Sequence, residues 1–469
     1  MPARRSEVEE FGRVFAATGS PAAPLARALS WLWRLGTVLD APGPSLVAFG
    51  DEAEAEELIG LVKQRRLAAA VVFVGDPGPS RGVIPDRRAV NGVASFGTRL
   101  RVTGDFVVFA GGRDVVRSSV GIHAVRAGKV LILGSGTDVW GRLDRFWCFP
   151  AIAHFLAEVL ERPLVLLPPL GCIRLDDVPG TAQHQIEGRA KSDRKARRLV
   201  DAIVAWYGRA DARLVVAVAC RGLVGGESVP LDAVWPDATR ALARGVSAGI
   251  LEPACHGTLH LNTKALAEGR VDPREFASLD FDEAARRLDL AVAWLGDHVG
   301  EPATFIAPAW GYSPGTLAAA AERGLLTWRP PQEGPLIAGS SLFETMRGAH
   351  FGLYRLDYGP LRTLASIGLP PVLVFHGRSF DHRLQSLRLP NDLAAYARLA
   401  LRRDVFRVAR LPGVRWVGAA DLFARLQIHD SFAPRVDVND LAATDAVLLH
   451  PGGARTRASA IAETRASRA

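Results

Sequence analysis

Three apolar runs of the chain end in residues that bind metals or move protons. Asp176 and Asp177 follow the first run. His256 and His260 follow the second in a His-x-x-x-His spacing, and His376 follows the third. Carboxylates and imidazoles ligate divalent metals and also act as general acids and bases. Two adjacent acids at the end of a buried strand are costly unless a positive group lies beside them. These residue types therefore predict a metal-dependent hydrolase.

The histidines have distinct predicted roles. His256 and His260 are four residues apart, so on one helical turn both rings face the same way, which suits a metal. The alternative is that one of the two is a core or capping residue. His376 ends five apolar residues, and we interpret it as a general acid, with a satisfied core histidine as the alternative.

The adjacent acids are predicted to divide two tasks. If the strand conformation continues through them, Asp176 and Asp177 point in opposite directions. One carboxylate can then ligate a metal while its neighbour faces the substrate water. The alternative is that Asp177 caps the following turn and Asp176 is a surface acid.

An α/β barrel is predicted to position these residues, over residues 163–428. Its strands are seven short apolar runs that alternate with helical patterns: 172–175, 214–218, 249–253, 304–308, 325–328, 372–375 and 414–417. That alternation predicts a parallel sheet, closed or nearly closed. The acids and histidines fall at carboxyl ends of strands, where α/β barrels place their sites.

A separate α/β domain is predicted for residues 45–162. Continuous apolar strands at 45–50 and 68–75 flank an amphipathic helix, as in a parallel βαβ unit. We expect a Rossmann-like or amidotransferase-like domain with an accessory role. Residues 1–44 are predicted to form a helical lead-in. Residues 450–469, rich in Ala, Arg, Ser and Thr, are predicted to be a disordered tail.

The composition of the 469-residue chain is that of a globular protein, with 48% hydrophobic and 23% charged residues. The net charge of +8 is spread along the chain. Its one dense basic run, 189–198, is interpreted as a solvated helix face, with an anion-binding patch as the alternative. We find no nucleic-acid motif, no signal-peptide pattern and no run of the roughly twenty apolar residues that span a membrane. The prediction is a cytoplasmic protein whose four cysteines are buried free thiols.

The motifs resemble those of the polysaccharide deacetylase family, the NodB-homology or carbohydrate-esterase-4-like fold. That family's first motif ends in Asp-Asp, as residues 174–177 do, and its second, His-Ser/Thr-x-x-His, is similar to residues 256–260. Residues 306–312 stand where the family has an Arg-x-Pro-x-Gly-like motif, and 373–376 match its late Leu-x-x-His. The resemblance covers residues 170 to 425 or so and implies a distorted (β/α)7 barrel.

The resemblance also implies a role for each residue. Asp177, His256 and His260 would bind a divalent metal, usually zinc in this fold. Asp176 would be the general base that takes a proton from the attacking water, and His376 the general acid that protonates the leaving amine. The metal would polarise the substrate carbonyl and lower the pKa of the water.

Three positions depart from the family pattern. Gly180 comes three residues after the second acid instead of directly after it, and Gly257 replaces a Ser or Thr. Ala307 occupies the place of the third-motif arginine, the partner that orients the base. Arg174 is the candidate to compensate from the first strand, and it is also a predicted substrate-binding residue.

The predicted substrate is a small intracellular N-acetylated sugar, a sugar-containing metabolite or a glycoconjugate, and the predicted reaction is N-deacetylation. Trp310 and Tyr312 are predicted to stack on a sugar ring, with core packing as the alternative. A second hypothesis is hydrolysis of another amide, ester or C–N bond on the same fold. A third is a non-catalytic carbohydrate-binding or assembly protein. A homo-oligomer is compatible with the sequence but not specified by it.

Overall fold

The structure is a computed structural model that describes residues 164–188 and 190–329 together with shorter segments. These segments are 8–11, 14–17, 47–51, 53–73, 89–95, 98–103, 113–118, 121–133, 141–142, 148–160, 337–338, 341–343, 346–347, 367–376, 413–431, 446–450, 455–457 and the single positions 22, 25, 26, 29, 365 and 460. The chain forms two compact units. The first comprises residues 1–169, 357–371 and 425–469, and the second comprises residues 170–356 and 372–424.

The described part of the first unit contains a mixed sheet, shorter strands and helices. Its strands are β1 Val8–Phe11, β2 Val14–Ala17, β3 Val47–Asp51, β4 Ala69–Phe73, β5 Ala89–Ser95, β6 Thr98–Thr103, β7 Arg113–Ser118, β8 Gly121–Ala127, β9 Val130–Leu133, β10 Gly141–Arg142 and β11 Leu164–Leu166. Its helices are α1 Ala55–Lys63 and α2 Cys148–Val159. The main sheet has the order β1-β2-β3-β4-β9-β8-β7-β5-β6, in which β2, β3, β4 and β9 are parallel and the other pairs are antiparallel.

The parallel centre of this sheet is the βαβ unit that the sequence predicts. Strand β4 is buried throughout, as continuous apolar strands of parallel sheets are. Helix α1 covers it, with Leu58, Ile59 and Val62 packed against a cluster that includes Val72 and Val130. The Rossmann-like or amidotransferase-like type of this unit stays a prediction.

Two terminal predictions need correction. The start of the predicted helical lead-in holds the antiparallel pair β1 and β2, whose β-branched and aromatic residues favour strands. Later in the same segment, Leu25, Ala26 and Leu29 are helical. In the predicted disordered tail, the strand Arg455–Arg457 (β25) pairs with Val447–Leu449 (β24), which in turn pairs with β11. Apolar residues of β11 and β24 supply the partner surface that the composition of the tail alone does not indicate.

The second unit is built on a largely parallel sheet. Its remaining strands are β12 Leu170–Asp176, β13 Leu214–Val218, β14 Arg221–Val224, β15 Glu227–Pro230, β16 Leu251–Cys255, β17 Thr304–Ile306, β18 Leu326–Arg329, β19 Ile337–Ala338, β20 Ser341–Phe343, β21 Met346–Arg347, β22 Val372–His376 and β23 Arg415–Val417. Its helices are α3 Ala182–Ile186, α4 Asp193–Ala210, α5 Leu231–Val234, α6 Pro236–Ser247, α7 Thr263–Ala267, α8 Phe281–His298 and α9 Pro314–Glu322, with a 3-10 turn at Pro308–Trp310. Helix α10, Ala419–Ser431, begins in this unit, which ends at Ala424.

All seven predicted barrel strands are present, and the α/β class is confirmed. The sheet order is β19-β20-β18-β17-β16-β13-β12-β22, with β23 also paired to β12. Every pair is parallel except β19 with β20. Among the described strands no pairing closes this sheet into a ring. Its carboxyl edge therefore collects the ends of β12, β16, β17 and β22.

The prediction of buried free cysteines is confirmed in both units. Cys148, Cys172, Cys220 and Cys255 are free and buried. Burial raises the pKa of Cys255 to about 12, which keeps it an unreactive thiol. No helix within the described ranges combines the length and apolar character that crossing a bilayer requires.

Candidate metal centre

The first part of the site is the end of strand β12. All seven residues of this strand are buried, and its last residue, Asp176, is the register partner of His376 on β22. Asp177 leaves the strand with a φ of 65°, in the left-handed region. The chain direction therefore changes between the two acids, and their carboxylates face different partners.

The Asp176 carboxylate is bound by an arginine of its own strand. Arg174 Nε donates to Oδ1 and Nη2 donates to Oδ2, each at 2.8 Å. Two residues apart on a strand, these side chains share one face of the sheet. The guanidinium carbon of Arg174 lies 4.9 Å from the ring centroid of Trp310 and 5.0 Å from that of Trp328. A carboxylate and two aromatic faces thus compensate a cation that is only 1% exposed.

The Asp177 carboxylate faces three imidazoles instead. Its Oδ1 lies 3.4 Å from His256 Nε2 and 3.3 Å from His260 Nε2. Its Oδ2 lies 3.7 Å from Nε2 of His184. Each of these four side chains belongs to a residue that is at most 6% exposed. The sequence predicts His256 and His260 beside the acids, but no motif in it includes His184.

The histidine pair lies on a loop, so the prediction of a helical turn is wrong. Strand β16 ends at Cys255, and Gly257 and His260 both have positive φ values, 78° and 59°. The carboxylate of Glu275 accepts the backbone N–H groups of Thr258 at 3.1 Å and His260 at 2.8 Å, and that of Leu259. In a helix these backbone N–H groups would donate to carbonyl oxygens of the same helix. Because they donate to Glu275 instead, residues 256–260 form a loop, in which both imidazole rings face Asp177.

Glu275 also explains the glycine at position 257. A Cβ added to Gly257 would lie 2.7 Å from Glu275 Oε2 and 2.7 Å from a ring carbon of Phe276, which leaves no space for a side chain. Burial raises the pKa of Glu275, although hydrogen bonds from Thr258 and the charge of Arg287 oppose that shift. Arg287 Nη1 lies 3.4 Å from Glu275 Oε1. Glu275 lies in a stretch with no motif. The sequence therefore predicted the importance of the histidine pair but not the carboxylate that binds the backbone of its loop.

The two predicted imidazole ligands differ in protonation. Nδ1 of His256 lies 2.7 Å from the carbonyl oxygen of Ile306, so Nδ1 is the donor and Nε2 presents a lone pair to Asp177 when the ring is neutral. Burial lowers the pKa of His256, but the contact and charge of Asp177 and the charge of Asp176 outweigh it and raise the pKa overall. Burial lowers the pKa of His260 to about 4. His260 is therefore neutral at pH 7, as a metal ligand must be.

The Asp177 carboxylate is ionised. Burial acts to raise its pKa, but the charge of His260 and the contact and charge of His256 bring the pKa well below its ordinary value. Within the described residues, Oδ1 of Asp177 is buried and no donor meets it with good hydrogen-bond geometry. An ionised buried oxygen without a donor is expensive, and a bound cation would satisfy it.

These residues fit a divalent metal. One ligand atom from each of Asp177, His256 and His260 lies within 4.8 Å of the others. One carboxylate and two imidazoles are a donor set that zinc accepts, and three protein ligands leave a position open. The metal prediction is therefore supported by the donor atoms, while the identity of the metal stays a prediction.

The other predicted residues lie around this centre. His376 is placed by its backbone next to Asp176, and its side chain lies outside the described part of the structure. Trp310 is partly exposed, and one of its contacts is with Arg174. Tyr312 is half-buried. The guanidinium carbon of Arg329 lies 5.8 Å from the centroid of the Tyr312 ring.

No protein-family model and no curated protein matches this sequence. Among solved structures, the chain is similar to a protein from Mycobacterium smegmatis named provisionally as a polysaccharide deacetylase. The identity is 16%, the TM-score is 0.37, and the match covers 58% of this chain and 98% of that one. A mutant of a CE4 family pseudoenzyme from Bacillus anthracis, with restored enzymatic activity, matches at 10% identity and a TM-score of 0.31, over 54% of this chain and 67% of that one.

A family 4 acetyl xylan esterase from Clostridium thermocellum, solved with a cobalt ion, matches at 13% identity and a TM-score of 0.30. This match covers 54% of this chain and 90% of that one. All three TM-scores are below 0.5, so the chemistry of the site rests on this chain's own residues. The chain is thus similar to polysaccharide deacetylases and family 4 carbohydrate esterases at low identity.

Proposed function

We propose that this chain is a metal-dependent hydrolase that removes the acetyl group from an N-acetylated sugar or a sugar-containing metabolite. One observation carries the proposal: a buried Asp-His-His cluster lies directly beside a second, arginine-bound carboxylate. A metal cluster alone is compatible with a structural role. A neighbouring oriented carboxylate adds the base that hydrolysis needs.

Asp177, His256 and His260 would hold the metal, and zinc is the metal we propose. When bound, a divalent cation of this kind supplies a Lewis acid for the substrate carbonyl and lowers the pKa of water. Asp176 takes the proton from the attacking water. Arg174 donates one hydrogen bond to each oxygen of Asp176. Because a carboxylate has about four acceptor positions, these two hydrogen bonds leave positions that can accept the proton.

His376 would protonate the leaving amine. Its backbone is in register with Asp176 on the adjacent parallel strand, which puts the proposed acid and base at the same edge of the sheet. The acetyl C–N bond breaks as the water oxygen bonds to the carbonyl carbon. The products are acetate and the free amino sugar.

Arg174 is better assigned to positioning the base than to binding substrate. It is 1% exposed and makes two hydrogen bonds to Asp176. It therefore supplies the guanidinium that Ala307, in the third-motif position, cannot. This weakens the case for a non-catalytic carbohydrate binder, which depends on a missing arginine. Trp310 and Tyr312 stay the proposed sugar contacts, and Trp310 keeps exposed surface for that role.

The test combines metal content and turnover. Purified protein should contain about one equivalent of zinc per chain, and the His256→Ala/His260→Ala variant should contain none. The zinc-loaded protein should release acetate from a panel of N-acetyl amino sugars. Metal binding with no acetate release from the N-acetyl amino sugars, together with cleavage of other acyl amides or of acetyl esters, would select the second hydrolase hypothesis. Absence of metal from both proteins after zinc is added back would contradict the proposed function.

A further inference from the structure

A fourth buried histidine faces the candidate metal centre. His184 is 4% exposed, and its Nε2 lies 3.7 Å from Oδ2 of Asp177. The histidines of the cluster approach the other oxygen, Oδ1. The carboxylate therefore has one oxygen directed to His256 and His260 and the second directed to His184.

The short helix that carries His184 is fixed at both ends of its sequence. At its start, Thr181 Oγ1 accepts the backbone N–H of His184 at 3.3 Å, which caps α3. One residue later, Gln185 bridges to strand β14, where its side chain donates to the carbonyl of Leu223 and accepts the N–H of the same residue, both at 2.6 Å. The imidazole of His184 is thus held by a helix that is capped at its start and hydrogen-bonded to β14.

The geometry separates His184 from the ligand atoms. The group of potential ligand atoms that all lie within 4.8 Å of one another contains Asp177, His256 and His260, and it does not contain His184. From the far oxygen of Asp177, a nitrogen at 3.7 Å needs a shift of about 1 Å at most to form a hydrogen bond. This position suits an outer partner of a ligating carboxylate, which orients the ligand without touching the metal.

We propose that His184 is a positioning residue of the metal centre. Its Nε2–H holds Oδ2 of Asp177, so that Oδ1 alone is presented to the metal and the carboxylate does not rotate to bind through both oxygens. The inference rests on the proposed function for its metal, and it adds a residue that the motifs do not include. Outer partners of this type contribute roughly 10-fold to 100-fold in metal affinity.

The experiment measures zinc affinity and needs no substrate. Metal-free wild type, His184→Ala and His184→Gln are titrated with zinc in competition with a chromophoric chelator. We expect one zinc per chain in all three proteins and an affinity about 10-fold to 100-fold lower for His184→Ala. The Gln variant should keep most of the affinity, because its amide N–H can reach the same oxygen but cannot ligate zinc as an imidazole does.

His298→Ala is the matched control, because His298 is an exposed histidine in the last turn of α8. It should bind zinc as wild type does, and thermal unfolding of all metal-free variants checks that each is folded. Wild-type affinity in a folded His184→Ala protein would overturn the inference while leaving the proposed function intact. Equal losses in the Ala and Gln variants would overturn it in favour of direct ligation. A wild type that binds no zinc would overturn both.

Discussion

Asp176 and Asp177 are neighbours in the chain, both are buried, and their surroundings have opposite chemistry. Asp176 is held by one permanent cation, Arg174, which lies against two indole rings. Asp177 faces imidazoles, whose charge depends on protonation and which can exchange a proton for a metal. A carboxylate beside a fixed cation is held in one orientation, as a general base must be. A carboxylate beside imidazoles, which ligate metals in their neutral form, can form a cation site.

The supports of the two carboxylates differ as well. The partner of Asp176 comes from the same strand, two residues away. The partners of Asp177 come from a loop that Glu275 organises and from a helix that follows the strand. The first arrangement is local and rigid, and the second depends on tertiary contacts. Substitutions on each side should therefore have distinct effects.

The largest effect is expected for Asp177→Asn. The substitution keeps the shape and one acceptor oxygen but removes the charge that balances a cation. We expect zinc affinity to fall by more than about 100-fold, beyond the range of outer partners, and acetate release to be lost with it. Chelator competition and elemental analysis measure the affinity and the content. A variant that retains stoichiometric, tight zinc would show that Asp177 is not a ligand.

Asp176→Asn should separate turnover from metal binding. We expect zinc content to stay at one equivalent while kcat falls by about 10² to 10⁴, the range that general bases contribute. The measurement is acetate release at saturating substrate, beside elemental analysis of the same sample. Loss of zinc in this variant would mean that the two acids share the metal, and an unchanged rate would remove Asp176 as the base.

Arg174→Met tests the fixed cation beside Asp176. It leaves a buried carboxylate without its partner, so the free energy of unfolding should fall by about 3–5 kcal/mol. The double variant Arg174→Met/Asp176→Leu should recover most of that loss, because neither charge is then buried alone. Urea unfolding of the metal-free proteins measures both.

The matched control for that series is Arg197→Met. Arg197 is 50% exposed on α4 and pairs with Asp201 at 3.3 Å. An exposed pair of this kind contributes about 1 kcal/mol or less, so the control should unfold almost as wild type does. If Arg174→Met were no more destabilising than Arg197→Met, the Arg174–Asp176 pair would not be the buried ion pair described above.

The smallest effect is expected for Glu275→Gln, on the histidine side. Burial raises the pKa of Glu275, so the folded state binds its proton more tightly than the unfolded state does. Stability from this group is therefore present below the carboxyl's ordinary pKa of about 4.3 and is lost as the pH rises through the folded value. The Gln variant lacks this titration. The difference in unfolding free energy between wild type and variant should change with pH in that range and be flat below it.

Glutamine at position 275 keeps one acceptor oxygen for the loop amides, so the variant should lose only about 1–3 kcal/mol at neutral pH. Urea unfolding across a pH series, with Glu322→Gln as a control on the exposed surface of α9, provides the measurement. A pH-independent difference between wild type and Glu275→Gln would contradict the raised pKa.

Strand periodicity was sufficient to predict where the candidate site lies. Parallel strands of continuous apolar residues place their carboxyl ends at one edge, and for that reason the two acids and the histidine pair could be expected close together. The choice of Asp177 over Asp176 as the metal ligand came from the resemblance to the deacetylase family. The sequence could not supply the contacts that only the folded chain creates. Glu275 and His184 have no spacing that links them to the acids, and their roles come from a loop and a helix that pack against the strand ends.

The helical prediction for the histidine pair failed for the same reason. The four-residue spacing of His256 and His260 suggested a helix, but tertiary hydrogen bonds to Glu275 override the local preference. The sequence did offer Arg174 as the candidate to replace the third-motif arginine that Ala307 lacks. In the structure its guanidinium donates to both oxygens of Asp176.

The central position of strand β12 in its sheet has a consequence for the folding of the chain during synthesis. It pairs with β13 on one side and with β22 and β23 on the other, and those last two strands are far along the chain. Until Val372 has been made, β12 presents an unpaired sheet edge of seven residues that are all buried in the final fold. A chain truncated before that point would keep every proposed metal ligand and still expose an apolar edge. We therefore expect such fragments to aggregate, and the nascent protein to depend on its carboxyl-terminal strands for protection.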